Sequence, residues 1–289
     1  MKPPPFRYAA PETVDECVRL LDAYGDEAKI IAGGQSLMPL LNLRMVRPSV
    51  IIDIGRLTAL GGWHEKGGII HIGALVRQRT LEYDPELVRA LPLMAEAAQM
   101  IGHPATRSRG TIVGSMCHAD PAAELPVCAL LLGAEFVLRS AKSVRTLKVN
   151  EFFVDALSTA AAADELVEQV RIPAAQKGAG YAFIEIARRH GDFALVSVGA
   201  AVEGAGGKVE DARIAIGGVA PRAQLFRYRD FASDSSLDSA ARAAFAQYVA
   251  DRIEPTSDLH ASAEYRRAGS ITLVERTLTA ACERAGIRS

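Results

Sequence analysis

Two short glycine-bearing stretches constrain this chain more than anything else in it. The first, Ala32-Gly33-Gly34-Gln35-Ser36, follows the apolar run Ala28-Lys29-Ile30-Ile31 and precedes Leu37-Met38-Pro39-Leu40-Leu41. That order reads as a buried strand, a Gly-Gly turn and the opening of a helix. Such a junction suits an anion, because glycine lets the backbone come close and the first N–H groups of the helix point at the ligand. The second stretch, Thr111-Ile112-Val113-Gly114-Ser115, is flanked by Arg107 and Arg109 and offers the same chemistry. Taken singly, each also reads as an ordinary tight turn. Taken together, they suit the two ends of one pyrophosphate-bearing cofactor.

The bulk numbers leave room for this. With 289 residues the chain is long enough for two domains with ample cores. Hydrophobic residues at 49% and charged residues at 23% are ordinary for a globular protein. A formal net charge of -1 gives no reason to expect nucleic acid or an acidic membrane as partner. No apolar run approaches the roughly 20 residues that span a bilayer. Met1-Lys2-Pro3-Pro4-Pro5 lacks the apolar segment of a secretory signal, so the expectation is a cytoplasmic protein. Cys17, Cys117, Cys128 and Cys282 are too widely spaced for a zinc or ferredoxin-type pattern, and are expected to be reduced thiols holding no metal.

Along the chain, Thr13-Val14-Asp15-Glu16 has the spacing of a capping box, with Val14, Cys17, Val18 and Leu21 at helical intervals and Gly25 at the helix end. With the strands at Ala28 and at Val50 to Ile54, this predicts a small parallel α/β unit. A second lobe begins near Leu60. It has predicted strands at Ile69 to Ile72, Glu135 to Arg139, Val144 to Val149 and Leu166 to Ile172, and predicted helices over Pro85 to Met100 and Leu125 to Leu132. Ile101 to His118 reads as a loop facing the first lobe. Pro173 to Gly180 reads as a linker. Beyond it come strands at Tyr181 to Ile186, Ala194 to Val202 and Ala212 to Ile216, with a turn at Gly204 to Gly207. Helices over Leu237 to Asp251 and Glu264 to Ala285 close the chain. Strands before helices argue for a separate α+β domain.

Ala32-Gly33-Gly34-Gln35-Ser36-Leu37 with Asn42-Leu43-Arg44, and Arg109-Gly110-Thr111-Ile112 leading into Asp120-Pro121-Ala122-Ala123-Glu124-Leu125-Pro126, resemble the FAD-binding medium subunit of molybdenum hydroxylases. Carbon monoxide dehydrogenase and the quinoline, nicotine and caffeine dehydrogenases contain such subunits. The resemblance runs from Pro4 to about Ala281. It implies an α+β fold: a two-lobed FAD-binding domain of the PCMH/VAO-like type over residues 1–175, with lobes of about 1–57 and 58–175, then a smaller α+β domain over 178–286 that covers the flavin. It also implies electron transfer through FAD, from two 2Fe–2S clusters on a small partner subunit to an external acceptor. A large partner subunit would hold a molybdopterin-type molybdenum cofactor, in a dimer of heterotrimers. The Pro-rich start, Gln35 in place of histidine and His118-Ala119-Asp120 look closer to the N-heterocycle dehydrogenases than to carbon monoxide dehydrogenase. A stand-alone FAD oxidoreductase and a nucleotide-binding module are the other readings.

For a doubly anionic pyrophosphate the natural partners are the backbone N–H groups of Gly33, Gly34, Gln35, Ser36, Gly114 and Ser115, with hydroxyl donors at Ser36 and Ser115. The resemblance extends cofactor contacts to Lys29, Ile30, Ile31, Ala32, Leu37, Ile101, Thr111, Ile112, His118, Asp120 and Leu166. Val113 stands where the family usually has a second glycine, which leaves the geometry of that loop open. Glu124 matches an acidic position that contacts the ribityl hydroxyls; a helix N-terminal acid opposing the dipole is its alternative, and Asp120 has the same two readings. Arg188-Arg189-His190-Gly191-Asp192-Phe193 resembles a segment lying against the flavin. Phe193 would cover the ring, and Arg188 would stabilise the anionic reduced flavin; a charged turn between strands is the alternative. No residue is assigned as a catalytic acid, base or nucleophile, because the flavin carries the redox chemistry.

Overall fold

In the computed structural model the described residues are 2–205, 208–232 and 237–287. The first lobe is β1 (Arg7–Ala9), α1 (Val14–Tyr24), β2 (Ala28–Ile31), α2 (Leu37–Asn42) and β3 (Val50–Asp53), with both neighbours parallel to β3 in the order β1-β3-β2. Thr13 Oγ1 caps α1 by accepting from the Glu16 N–H at 3.1 Å, and Gly25 ends it at φ 47°. The Glu16 carboxylate reaches one residue further back than a capping box requires, accepting from the Glu12 N–H at 2.9 Å. β1 escapes a reading by pattern, being only three residues long.

The second lobe comprises β4 (Trp63–Lys66), β5 (Ile69–Gly73), α3 (Thr80–Tyr83), α4 (Pro85–Ala90), α5 (Pro92–Ala98), α6 (Pro104–Arg109), α7 (Ile112–His118) and α8 (Glu124–Leu132). It continues through β6 (Glu135–Arg139), β7 (Val144–Lys148), α9 (Val149–Phe152), β8 (Phe153–Asp155), β9 (Ser158–Thr159) and β10 (Leu166–Pro173). Its main sheet runs β4-β5-β10-β6-β7, antiparallel throughout. Three expectations are corrected here. The predicted helix over Pro85 to Met100 is two helices, because Pro92 has no N–H and turns Leu91 out to φ −132°, ψ 59°. The predicted loop from Ile101 to His118 contains two helices, α6 opened by Pro104 and α7 capped by Thr111. β4 was not expected from its exposed, polar sequence; the Gly67-Gly68 turn, both residues at positive φ, folds it onto β5.

The third part is an antiparallel sheet, β11 (Gly180–Ile186), β12 (Val196–Ala205), β13 (Lys208–Gly217) and β14 (Gln224–Arg227), followed by α10 (Ser239–Ala250) and α11 (Ala263–Arg284). Of the turn expected at Gly204 to Gly207, Gly206 and Gly207 lie outside the described residues. Strand parity divides this sheet cleanly. Ala182, Val196, Val198, Ala200, Ile214 and Ile216 pack with α10 and α11 in one apolar cluster. Tyr181, Phe183, Ala201 and Ala215 face the other way and join the core of the second lobe. The sheet is therefore buried on both faces. At Gly199 the spot a Cβ would take is 3.2 Å from Leu131 Cδ2 of α8, and at Gly217 it is 2.6 Å from Val127 Cγ2, so these glycines let α8 lie close. Glu96 of α5 fixes the seam, accepting from Arg284 at 2.7 and 3.0 Å and from the Phe183 N–H at 3.1 Å. Among the described residues no helix is long and apolar enough to cross a membrane.

Candidate functional site

The first glycine loop joins β2 to α2, and its two glycines do different work. Gly34 sits at φ +73°, over the Ile31 side chain, where an L side chain is strained. Gly33 is buried against the corner between α6 and α7: a Cβ there would be 2.8 Å from Gly110 Cα and would collide with the Arg109 carbonyl oxygen. The first loop thus meets, backbone to backbone, the two residues that lead into the second stretch. The N–H groups of Gly33, Gly34, Gln35 and Ser36 have no acceptor among the described residues, while the Gly34 carbonyl accepts from the Met38 N–H at 3.1 Å and starts α2. Gln35 folds back, its Nε2 donating to the Gly33 carbonyl at 3.3 Å. Ala32 and Leu37 flank the loop half-buried; Ile30 and Ile31 lead into it half-buried and Lys29 leads in exposed.

The second stretch is a helix start rather than an open loop. Thr111 Oγ1 accepts from the Gly114 N–H at 3.0 Å, the Thr111 carbonyl accepts from the Ser115 N–H at 3.1 Å, and the Val76 carbonyl accepts from the Ile112 N–H at 3.0 Å. The expectation that the Gly114 and Ser115 N–H groups donate to pyrophosphate is corrected by these bonds. What Gly114 provides is room, since a Cβ would stand 2.5 Å from Thr111 Oγ1; Ser115 keeps its hydroxyl. Val113, the departure from the family pattern, points into the core at 2% exposure, so its branching does not crowd the loop.

The α6–α7 corner is held from below. Arg107, buried, donates to Glu82 through Nε and Nη2 at 2.8 and 2.9 Å and to the Ile101 and Gly102 carbonyls at 2.8 and 3.1 Å. Gln78 donates its N–H to the Gly110 carbonyl at 2.9 Å, and Arg77 Nη1 donates to the Arg109 carbonyl. Neither Arg107 nor Gln78 was singled out as a site residue from sequence. A buried arginine six residues after Ile101 carries no periodic signal, since its partner lies on α3.

From α7 the chain passes His118, half-buried with Nε2 3.9 Å from Asp120 Oδ2, and Ala119 at φ 51°. Asp120 makes an Asx turn, accepting from the Ala122 N–H at 2.9 Å. Glu124 opens α8 and is 6% exposed, with no side-chain hydrogen bond to another residue. Burial, then Glu185, push its carboxyl up to about 8, with Asp120 contributing less. This favours the protonated carboxyl, which can donate as well as accept, where the sequence reading took an acceptor-only carboxylate. Leu166 is buried on β10, so only its backbone is placed to meet a ligand. Ile101 is 8% exposed, beside Gly102.

The segment from Arg188 to Phe193 forms an exposed turn of the third part. Gly191, at φ +86°, docks it on the second lobe: a Cβ there would be 2.8 Å from the Gly102 carbonyl and 3.1 Å from His103 Nδ1. Arg188 Nη2 donates to the His260 carbonyl at 3.3 Å, Asp192 is exposed, and Phe193 is 72% exposed, an unusual position for a phenylalanine. Among the described residues no three His, Cys, Asp or Glu side chains converge on a metal-sized site, and all four cysteines are free.

Residues 4–175 match the family described as "FAD binding domain in molybdopterin dehydrogenase", and residues 181–281 match the "CO dehydrogenase flavoprotein C-terminal domain". The chain belongs to the FAD-binding medium subunits of the molybdenum hydroxylases. This medium subunit is 41% identical over 287 residues to the 6-hydroxypseudooxynicotine dehydrogenase complex subunit alpha of Paenarthrobacter nicotinovorans, covering 99% of this chain and 97% of that one. It is 36% identical to the carbon monoxide dehydrogenase medium chain of Hydrogenophaga pseudoflava, covering 98% and 99%. Among solved structures, quinoline 2-oxidoreductase from Pseudomonas putida 86 superposes with a TM-score of 0.94 at 34% identity over 100% of both chains. The residues present fit an FAD: four unpaired N–H groups on a glycine loop answer its pyrophosphate, and a buried carboxyl answers hydroxyls.

Proposed function

We propose that this medium subunit holds one FAD between residues 1–175 and 178–286 and relays electrons within a heterotrimer. A large subunit carries the molybdopterin-type molybdenum cofactor and a small subunit carries two 2Fe–2S clusters; the assembly is a cytoplasmic dimer of heterotrimers, and its substrate is an N-heteroaromatic compound. Relatives named for nicotine, caffeine and quinoline support that substrate class, and the carbon monoxide dehydrogenase medium chains are the alternative.

The observation that carries the reading is the row of N–H groups at Gly33, Gly34, Gln35 and Ser36, without acceptors and pressed against the α6–α7 corner. These donors take the pyrophosphate, with Ser36 and Ser115 adding hydroxyls. Lys29, Ile30, Ile31, Ala32, Leu37, Ile101, Thr111, Ile112 and Gly114 shape the walls of the groove. Glu124 binds the ribityl hydroxyls, with His118 and Asp120 beside it. The Leu166 backbone meets the flavin edge, and Phe193 covers the ring with Arg188 and Asp192 at its rim. When bound, the FAD supplies the electron transfer, and the chain supplies binding, orientation and exclusion of water.

The test is purification from the native host through a tag on this chain. FAD, molybdenum, iron and two further subunits are the expected yield; a lone chain with FAD would mean a stand-alone flavoprotein, and no flavin would overturn the site. Glu124→Ala is expected to weaken FAD binding by roughly 1–3 kcal/mol, the scale for losing a buried polar partner. An unchanged dissociation constant would return Glu124 to a helix-dipole role.

A further inference from the structure

Where Gly217 meets Val127 of α8, the face of the C-terminal sheet turned toward that helix carries two polar residues, Glu185 on β11 and Ser197 on β12, while Glu203, Asp211 and Arg213 further along the same face pair with one another. Glu185 and Ser197 stand directly opposite one another in the antiparallel register and so share that face, with Cβ atoms roughly 4.5–5.5 Å apart. Ser197 is 0% exposed and its Oγ has no hydrogen-bond partner. Glu185 is half-buried: its Oε2 is buried without a partner. The next position across from Ser197 is Gly217, where a Cβ would stand 2.8 Å from Ser197 Oγ and 2.6 Å from Val127 Cγ2. Val127 lies one turn beyond Glu124 on α8, so the two sheet residues look onto the helix end that carries Glu124. The electrostatics agree with this placement, since Glu185 acts on Glu124 more strongly than Asp120 does, and burial pushes the Glu185 carboxyl up to about 7.

Two unpartnered polar atoms in a dry seam are destabilising, and an alanine or valine at these strand positions would remove that cost. Their presence needs a hydrogen-bonding occupant. We propose that Glu185, steadied by the Ser197 hydroxyl, is a second ligand to the hydroxyl-bearing chain of the cofactor, facing Glu124 from the C-terminal sheet. This rests on FAD being the cofactor and on Glu124 meeting its ribityl chain. Ser197 donates to Glu185 Oε2 after a rotation about χ1, and the other carboxyl oxygen of Glu185 takes a ligand O–H. The ribityl chain then bridges both halves of the protein.

The full chain, freed of flavin, would be titrated with FAD and with ADP, which shares the pyrophosphate but lacks the ribityl chain and ring. Glu185→Gln is expected to weaken FAD about tenfold and to leave ADP unchanged, with Ser197→Ala weakening FAD to a lesser degree in the same pattern. The doubly substituted Glu124→Gln/Glu185→Gln chain is expected to lose less than the product of the two single effects, as for residues sharing one ligand. Equal FAD affinity in wild type and Glu185→Gln would overturn the proposal. So would an equal loss for FAD and ADP, which would mark a structural defect. A wild-type chain that binds neither ligand would instead overturn the FAD reading itself. Thermal unfolding of each variant without ligand checks that the seam is intact.

Discussion

Three glycines at the site answer three different physical demands. Gly33 permits backbone contact with Arg109 and Gly110, Gly34 takes a positive φ, and Gly114 makes room for the Thr111 cap. Only the first joins the two loops. Gly33→Ala is expected to push the α6–α7 corner away from the loop, costing about 1–3 kcal/mol as overpacking does. It should also lower the flavin absorbance per chain in purified protein. Full flavin occupancy together with unchanged urea unfolding would show that the corner does not need that contact. The sequence announced these glycines, but not their separate tasks. A Gly-Gly pair signals a turn, whereas the atom that excludes a Cβ at Gly33 comes from a residue 76 positions away.

Among the elements, the α6–α7 corner was the least legible. Its helices are six and seven residues long, too short for an apolar period, and each is announced only by its start, Pro104 or Thr111. Arg107 fixes their orientation through four hydrogen bonds to Glu82, Ile101 and Gly102. Arg107→Ala would leave Glu82 buried and uncompensated, and is expected to destabilise the chain by about 3–5 kcal/mol. Urea unfolding measures this, with loss of retained flavin as the accompanying sign that the corner has moved. By contrast, α1, β2 and β3 were readable because a cap, a helical period and two apolar runs all agreed. Pro92 shows the opposite case, where an apolar stripe at helical spacing continues through a position at which the backbone cannot.

On the scale of the whole molecule, the decisive feature is the C-terminal sheet, buried between α5 and α8 on one side and α10 and α11 on the other. It brings Glu185 to Glu124, with Asp120 on the preceding loop, Cys128 on α8 and Glu96 on α5, the last paired with Arg284. Both carboxyls are raised, so the folded chain binds more protons than the unfolded one above their ordinary value of 4.5. Stability of the flavin-free chain is therefore expected to fall as pH rises from 4.5, until Glu185 ionises at about 7 and Glu124 at about 8. Glu124→Gln should flatten that slope. Unfolding midpoints across the interval measure it, and a wild-type profile that rises with pH would contradict the burial of these groups.

The sequence by itself determined the local chemistry: where most of the core strands and the helices α1, α8, α10 and α11 form, where the glycine turn sits, and that the chain carries the FAD-binding pattern of its family. Those features depend on neighbours a few residues apart, where propensity, capping and periodicity act. Tertiary structure decided what each group is free to do. It placed Gly33 on Gly110, tied the Gly114 and Ser115 N–H groups into a helix, turned Val113 into the core and raised the Glu124 carboxyl by burial. It also set Glu185 and Ser197 opposite one another in the sheet, each with a buried oxygen lacking a partner. Burial and the partners available to a hydrogen bond are properties of packing between distant segments, and no local pattern encodes them.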